Sequence, residues 1–163
     1  LYKIEVTVTP GSSIRLINVK APSGLREGLR AAEQVLYTQA KSLIGDRDPK
    51  GSEFSVQVRA LTAVKGASSL GMPILLALCS AALGRSLKGG VVIAGGMSVG
   101  GTVEPIYNAL DMAELAAENG AAAILLPVSS RRQLNDMSDE LASRLMIIYY
   151  KDPRDALFKV LGE

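Results

Sequence analysis

A continuous apolar run places the strongest constraint on the fold of this 163-residue chain. From Ser69 to Leu83 the residues are apolar or small, and none of them is charged. A surface helix carries a polar stripe, whereas a helix that is apolar on all sides is buried. The run therefore predicts a buried central helix. Pro73 is tolerated there because its missing N–H falls in the first turn.

Alternating and uniformly apolar segments predict the strands around this helix. The predicted strands are Tyr2–Val8, Ile14–Val19 after a turn at Pro10–Ser13, Phe54–Ala60, two short strands within the glycine-rich stretch Gly89–Val103, and the buried strands Ala122–Leu126 and Leu145–Tyr150. The predicted helices are an amphipathic one over Leu25–Leu43, one over Ile106–Glu118 opened by Pro105, a short one over Ser129–Leu134, and one that Asp152 caps and that runs from Pro153 to Leu161. Strands and helices mix without strict alternation, so we predict an α+β fold whose mixed sheets and helices pack around the buried helix.

The absence of histidine narrows the chemistry. Without imidazole, Ser-His-Asp, Cys-His and histidine–metal sites are all excluded. The single cysteine, Cys79, excludes an internal disulfide and fits a core residue in a reducing, cytoplasmic compartment. A net charge of +2 without a basic run gives no sign of a nucleic-acid surface. No segment resembles a signal peptide or a membrane span.

Several polar or glycine-rich clusters are better explained by structure than by chemistry. The glycine pairs of Gly89–Gly101 match neither phosphate-loop pattern, and tight turns account for them. Two acidic groups, Asp46/Asp48/Glu53 and Asp136/Asp139/Glu140, lack the calcium-loop spacing and are predicted to lie in solvated loops, so no metal site is expected. Arg131 and Arg132 are predicted to lie on an exposed helix face.

The loop before the buried helix is the remaining candidate for a catalytic site. It runs from Lys65 to Gly71 and brings Ser68 and Ser69 to the helix start, where unpaired amides can hold an oxyanion. A serine acts as a nucleophile only when a base accepts its proton. The residues alone leave open both the identity of that base and a simple packing role for the loop.

Four stretches resemble a known family when they are taken together. They are Tyr2–Gly11, the block Lys65–Gly71 at the position of a Lys-Asp-Gly-Pro-Ser-Ala-Gly motif, Val91–Ile106 with its Gly-x-Val-x-Pro-Ile ending, and Ala122–Pro127. Over nearly its whole length the chain resembles the proteolytic domain of the Lon protease family. Within that family it is similar to the Lon-like domain of the BrxL proteins of BREX phage-defence systems.

The resemblance implies a Ser-Lys dyad and identifies its positions. The nucleophile falls on Ser69 and the preceding proline of the motif on Ser68, and which serine is functional stays open. The dyad lysine falls on Met112, 43 residues further on (112 − 69). A desolvated lysine with a lowered pKa accepts the serine proton, whereas a thioether does not. Gly66 replaces the aspartate of the motif, and Ala94 and Gly96 replace a threonine and a glutamate.

The resemblance also implies partners and cofactors. The chain, residues 1–163, is expected to be a single domain of a longer protein, because it opens on Leu1 within a strand pattern. An upstream ATPase module would bind ATP and Mg²⁺, and this domain itself would bind no cofactor. A ring-shaped homo-oligomer, with a hexamer as the leading form, is expected. A protein or peptide substrate is expected if the site is active, and DNA contacts would come from other domains.

Three hypotheses follow for the function. The leading one is a Lon-type proteolytic domain with an impaired dyad that serves ring assembly of a phage-defence ATPase. The second is an active serine endopeptidase in which Ser69 uses another base, such as Lys88 or a lysine of a neighbouring subunit. The third is a non-catalytic module that binds DNA or a protein partner.

Overall fold

The computed structural model of the chain describes residues 2–11, 13–16, 25–60 and 70–162. The described strands are β1 Tyr2–Pro10, β2 Ile14–Leu16, β3 Ser52–Ala60, β4 Val91–Ile93, β5 Ala123–Pro127 and β6 Met146–Tyr150. The described α-helices are α1 Leu25–Thr38, α2 Ala40–Ile44, α3 Gly71–Leu83, α4 Ala109–Glu118, α5 Asp139–Arg144 and α6 Pro153–Val160, and 3-10 helices span Pro49–Gly51 and Val128–Leu134. Helices and strands mix without strict alternation, which confirms the predicted α+β class.

The first sheet has β3 at its centre, between β1 and β2. β1 runs antiparallel to β3 from the Tyr2–Ala60 pair to the Pro10–Ser52 pair, and β2 runs parallel to β3. A second strand does follow β1, as predicted, but the two strands are not neighbours in the sheet. The predicted residues 17–19 of that strand lie outside the described residues. Hydrophobic alternation indicates a strand and its faces, but it does not specify which strand pairs with it.

The helix α3 lies in the main hydrophobic core, as the apolar run predicted. Its residues Met72, Ile74, Leu75, Leu76, Leu78 and Cys79 are all 0% exposed. Each such Leu or Ile contributes about 1.5–3 kcal/mol relative to an exposed position. The predicted start at Ser69 lies outside the described residues, and Pro73 does fall in the first turn. Gly84, with a φ of 64°, ends the helix in the left-handed conformation.

The predicted single helix over Leu25–Leu43 is wrong, because the chain breaks it at Gln39. This residue has a φ of −113° and a ψ of 19°, and it separates α1 from α2. The turn after β4 packs against the break, since a Cβ atom on Gly101 would overlap the side-chain amide of Gln39. The break is therefore a site of tertiary contact that the amphipathic pattern does not reveal.

The second sheet is parallel and has β5 between β4 and β6. All five residues of β5 are buried, as predicted, whereas β6 begins with Met146, which is 65% exposed. From Ile147 to Tyr149 the strand is half-buried, and only Tyr150 is buried, so the prediction of a buried strand is wrong for most of β6. This strand lies at an edge of the sheet, with a neighbouring strand on one side only. Only β4 forms a strand within the glycine-rich stretch, and the second predicted strand is reduced to a single bridge between Met97 and Val103.

The helices of the second half depart from prediction at their starts. α4 begins at Ala109, three residues after the predicted Ile106, and Pro105 does not open it. α5 was not predicted, since Asp139 and Glu140 were assigned to a loop. The Ser138 hydroxyl accepts the Leu141 N–H at 3.2 Å and caps α5.

The last helix, α6, begins as predicted. Asp152 accepts the Asp155 N–H at 2.8 Å, and Pro153 occupies the first helical position. Across the described residues, no helix has the length and apolar character that crossing a membrane requires.

Candidate functional site

The start of α3 is the centre of the candidate site, because the predicted nucleophile Ser69 directly precedes it. Ser68, Ser69 and the rest of the loop 61–69 lie outside the described residues, so their roles stay predictions. The described chain resumes at Leu70, and α3 begins at Gly71. The surroundings of the site are therefore defined by the residues that pack on this first turn.

Gly95 anchors the first turn of α3. The Met72 N–H donates to the Gly95 carbonyl at 3.2 Å, so this amide is not available to a substrate oxyanion. The amides of Leu70 and Gly71 donate to no acceptor in the part of the chain that the structure describes. These two amides remain as donors for the predicted oxyanion site.

Gly71 fills a narrow gap between α1 and the segment that follows β4. A Cβ atom on Gly71 would lie 3.5 Å from the Met97 backbone nitrogen. A Cβ atom on Gly28 of α1 would come within 3.3 Å of the Gly71 nitrogen. The contact at Gly28 is tighter than an ordinary Cβ contact, whereas the one at Gly71 is an ordinary van der Waals distance. The two contacts place α1 and Met97 directly beside the entrance to α3.

Tyr150 supports the Gly95 anchor from β6. The Tyr150 side chain is 1% exposed, and its hydroxyl donates to the Ala94 carbonyl at 2.9 Å. Gly95 has a φ of +133°, and a Cβ atom there would overlap the Tyr150 hydroxyl. Burial raises the pKa of Tyr150 above its ordinary value of 10.0, so the hydroxyl is protonated at neutral pH and remains a donor in more alkaline solution as well. This role was not predicted, and the only signal for it in the sequence is a tyrosine at the end of an apolar strand.

Two positions that the resemblance assigns to polar residues carry none. Ala94 is 8% exposed, and its N–H donates to the Leu125 carbonyl at 3.0 Å. Gly96 is buried, and its carbonyl accepts the Glu104 N–H at 2.9 Å. Both residues therefore serve backbone pairing beside α3, and neither supplies a hydroxyl or carboxylate to a neighbouring serine.

Met112, at the predicted lysine position, lies on α4. Its N–H donates to the Asn108 carbonyl at 3.0 Å, and its side chain is half-buried against the second hydrophobic cluster. That cluster includes Ala94, Ile106, Ala109, Ala113, Ala116, Ala117, Ile124 and Leu126. The thioether is at most a weak hydrogen-bond acceptor. Of its neighbours on the helix, Leu110 is half-buried and Asp111 is exposed.

Gln133 fixes the start of the helix that carries Met112. Its Oε1 accepts the Ala109 N–H at 2.9 Å, and its Nε2 donates to the Ile106 carbonyl at 2.5 Å. One side-chain amide thus spans the three residues before α4 and replaces the cap that Asn108 does not provide. The role of Gln133 was not predicted, because no local pattern links this residue to partners that lie 24 and 27 positions earlier.

Lys88, the rival base, lies at the opposite end of α3. Its N–H donates to the Val160 carbonyl at 2.7 Å, and the neighbouring Leu87 pairs with Leu161. The 13 residues of α3 span roughly 20 Å at 1.5 Å per residue. A lysine side chain is shorter than that, so the structure does not bring Lys88 to the entrance of α3 within one subunit.

Members of the acidic groups and of the arginine pair form ion pairs, hydrogen bonds or ring contacts within the fold. Glu53 pairs with Arg15 at 3.0 Å, and Asp48 accepts the Lys50 N–H at 2.9 Å. Arg131 lies 5.0 Å from the ring centre of Tyr149, in a cation–π contact. Within the described residues, no three His, Cys, Asp or Glu side chains are grouped closely enough to hold a metal ion.

The chain belongs to the Lon protease (S16) C-terminal proteolytic domain family, whose model matches residues 1–162. It is 25% identical over 163 residues to the Lon-like protease BrxL of Escherichia coli O9:H4 (strain HS). The aligned region covers 99% of this chain and 24% of that protein. It is 24% identical over 162 residues to the Lon-like protease BrxL of Bacillus cereus (strain H3081.97), with the same two coverages. The Lon protease of Phenylobacterium zucineum (strain HLK1) is 26% identical over 155 residues, which cover 94% of this chain and 20% of that protein.

The chain thus spans about a quarter or less of the length of these relatives. The family membership and the α+β fold agree with the resemblance that the motifs of the sequence carry.

Proposed function

We propose that this chain is a Lon-type proteolytic-like domain with an impaired Ser-Lys dyad, which serves the assembly of a ring-shaped ATPase. The observation that carries the proposal is Met112, whose side chain packs half-buried against an apolar cluster where the family's lysine is expected. A serine hydroxyl is a weak nucleophile until a base takes its proton. A desolvated lysine serves as that base, and a thioether does not.

The described surroundings of α3 support this proposal, since the described residues that contact its first turn, Gly28, Gly95 and Met97, offer no substitute base. Ala94 and Gly96 have no proton-accepting side chain, and the Tyr150 hydroxyl is held protonated by burial. Lys88 is anchored at the far end of the helix. A base would therefore come from residues outside the described ranges, which include residues 17–24 and 61–69, or from another subunit.

The role of the intact protein is part of the same proposal. We expect a ring-shaped homo-oligomer, with a hexamer as the leading form, in the cytoplasm. ATP and Mg²⁺ would bind outside this chain, which lacks a phosphate-loop motif. The similarity to two BrxL proteins supports a role in BREX phage defence. DNA contacts would come from other parts of the protein, since this chain has a net charge of only +2.

The test is cleavage of casein by the full-length protein with ATP and Mg²⁺, compared with the Ser69→Ala variant. We expect slow or undetectable cleavage that does not depend on Ser69, because oxyanion binding without a base leaves only a small residual rate. Robust cleavage that Ser69→Ala abolishes would refute the impaired site. That result would instead favour an active serine endopeptidase whose base comes from a neighbouring subunit.

A further inference from the structure

A cavity of about 480 Å³ opens at the end of α3 that lies opposite the candidate site. Residues of α2, the end of α3 and α6 line it. Its floor is aliphatic and comprises Leu43, Ile44 and Leu157, which are 6%, 3% and 3% exposed. The half-buried Leu83 and Leu161 extend this apolar surface toward the rim. The volume lies in the range of pockets that hold small ligands or large side chains.

The helix α6 turns a second stripe of side chains toward this cavity. Arg154 and Phe158 are four residues apart on α6 and therefore share one face, and Leu161, which directly follows the helix, lines the cavity beside them. The buried face of α6 is a different one, formed by Pro153, Ala156, Leu157 and Val160. Phe158 is 75% exposed, so it contributes little to the core of this chain. An exposed aromatic side chain beside an apolar cavity is typical of an interaction surface.

Two arginines, Arg85 and Arg154, stand at the rim of the cavity. In the described part of the chain no carboxylate lies within 4.0 Å of either guanidinium. Arg85 donates to the Gly162 carbonyl at 3.1 Å, which leaves other donors of its guanidinium unused.

The two acidic side chains of the same helix end line a neighbouring pocket with Arg154 and Phe158, but each of them has another partner. Asp155 pairs with Lys159 at 3.2 Å, and Asp152 caps α6. The cavity therefore combines an apolar floor with the guanidinium groups of Arg85 and Arg154, which have no charge partner among the described residues. Guanidinium groups bind carboxylates through paired, charge-assisted hydrogen bonds.

We propose that this cavity is the docking site for an acidic peptide segment of a partner protein, in which carboxylates flank one bulky apolar side chain. The apolar side chain would enter between Phe158 and the aliphatic floor, and the carboxylates would bind Arg85 and Arg154. A nucleic-acid backbone would match the arginines, but it would leave the apolar floor exposed to water. The combination of both features favours a peptide.

The test is a selection of displayed random 12-residue peptides on the full-length protein and on three variants of it. We expect the wild-type chain to enrich peptides with acidic residues around one aromatic or aliphatic residue. The doubly charge-reversed variant Arg85→Glu/Arg154→Glu and the variant Phe158→Ala should each bind the selected peptides at least tenfold more weakly in fluorescence anisotropy. The control Arg26→Glu/Arg132→Glu makes the same charge change at exposed residues elsewhere and should bind as the wild type does.

Thermal unfolding confirms that each variant is folded before binding is compared. Three results would overturn the proposal. One is that the selection enriches neutral or basic peptides, or that it enriches no peptide at all. Another is equal loss of binding in the control variant. The third is self-association, measured by sedimentation, that Phe158→Ala abolishes, because a second copy of the chain would then occupy the cavity.

Discussion

The side chain of Tyr150 supports the entrance to α3 through a buried hydrogen bond. Its hydroxyl joins β6 to the Ala94 carbonyl, and the next residue, Gly95, accepts the Met72 N–H of α3. Both bonds lie in the interior, where an unpaired polar group is costly. The candidate site is thus positioned by a residue that carries no catalytic chemistry itself.

Replacing Tyr150 with Phe should lower the free energy of unfolding by about 1–3 kcal/mol, because the buried Ala94 carbonyl loses its donor. Urea unfolding measures the change. The matched control is Tyr107→Phe, which removes a hydroxyl from a residue that is 87% exposed and should change stability by less than about 0.5 kcal/mol. Equal effects of the two substitutions would contradict the anchoring role of Tyr150.

Cys79 should make the fold sensitive to alkaline pH. Burial raises the pKa of its thiol from 9.0 to about 12. Between these values the unfolded chain loses the thiol proton while the folded chain keeps it, so stability is fully present below pH 9 and falls as pH rises toward 12. Urea unfolding at pH 8 and pH 11 should show a smaller loss in Cys79→Ala than in the wild type, by about 2.7 kcal/mol, since each of the two pH units from 9 to 11 contributes about 1.36 kcal/mol. An identical loss in both proteins would show that the thiol does not contribute.

At the scale of elements, the sequence predicts best where the signal is local. The apolar run is sufficient to predict α3 as a buried helix, and Asp152 with Pro153 marks the start of α6. The break between α1 and α2 at Gln39 and the late start of α4 were not predicted. Both depend on side chains that are distant in sequence, since Gly101 packs on Gln39 and Gln133 holds the start of α4.

Gln133→Leu should loosen the first turn of α4, because it removes both hydrogen bonds of the side-chain amide. Hydrogen exchange at the amides of residues 109–112 should accelerate at least tenfold. Asn119→Ala removes a side-chain hydrogen bond to Leu115 at the other end of α4 and should leave these amides unchanged. Unchanged exchange in Gln133→Leu would show that the cap of α4 lies elsewhere.

Gly95→Ala should disturb the junction between β4 and α3. The added methyl group would overlap the Tyr150 hydroxyl at a φ of +133°, so we expect a loss of about 3 kcal/mol or more in urea unfolding. Gly120→Ala is the matched control, since Gly120 also has a positive φ, of 80°, but faces open space. Its loss should be near 1 kcal/mol. A similar loss in both variants would mean that Tyr150 can move away without cost.

At the scale of the whole molecule, the motif pattern predicts the fold more completely than it predicts the catalytic chemistry of the candidate site. Family membership over residues 1–162 and the α+β architecture agree with the resemblance. Strand order was not predictable from alternation, as the separation of β1 from β2 by β3 shows. The chemistry depends on the geometry between residue 69 and residue 112, which sequence spacing does not determine.

The impaired dyad is the central claim, and restoring the lysine tests it most directly. Peptide cleavage by the full-length protein with ATP should be measured for the wild type, Met112→Lys and Met112→Lys/Ser69→Ala. The account predicts that Met112→Lys cleaves faster than the wild type, on the order of a hundredfold, as general-base catalysis supplies, and that Ser69→Ala removes the gain. The account would be contradicted if the wild type cleaved the peptide as fast as Met112→Lys does and lost this activity when Ser69 is replaced.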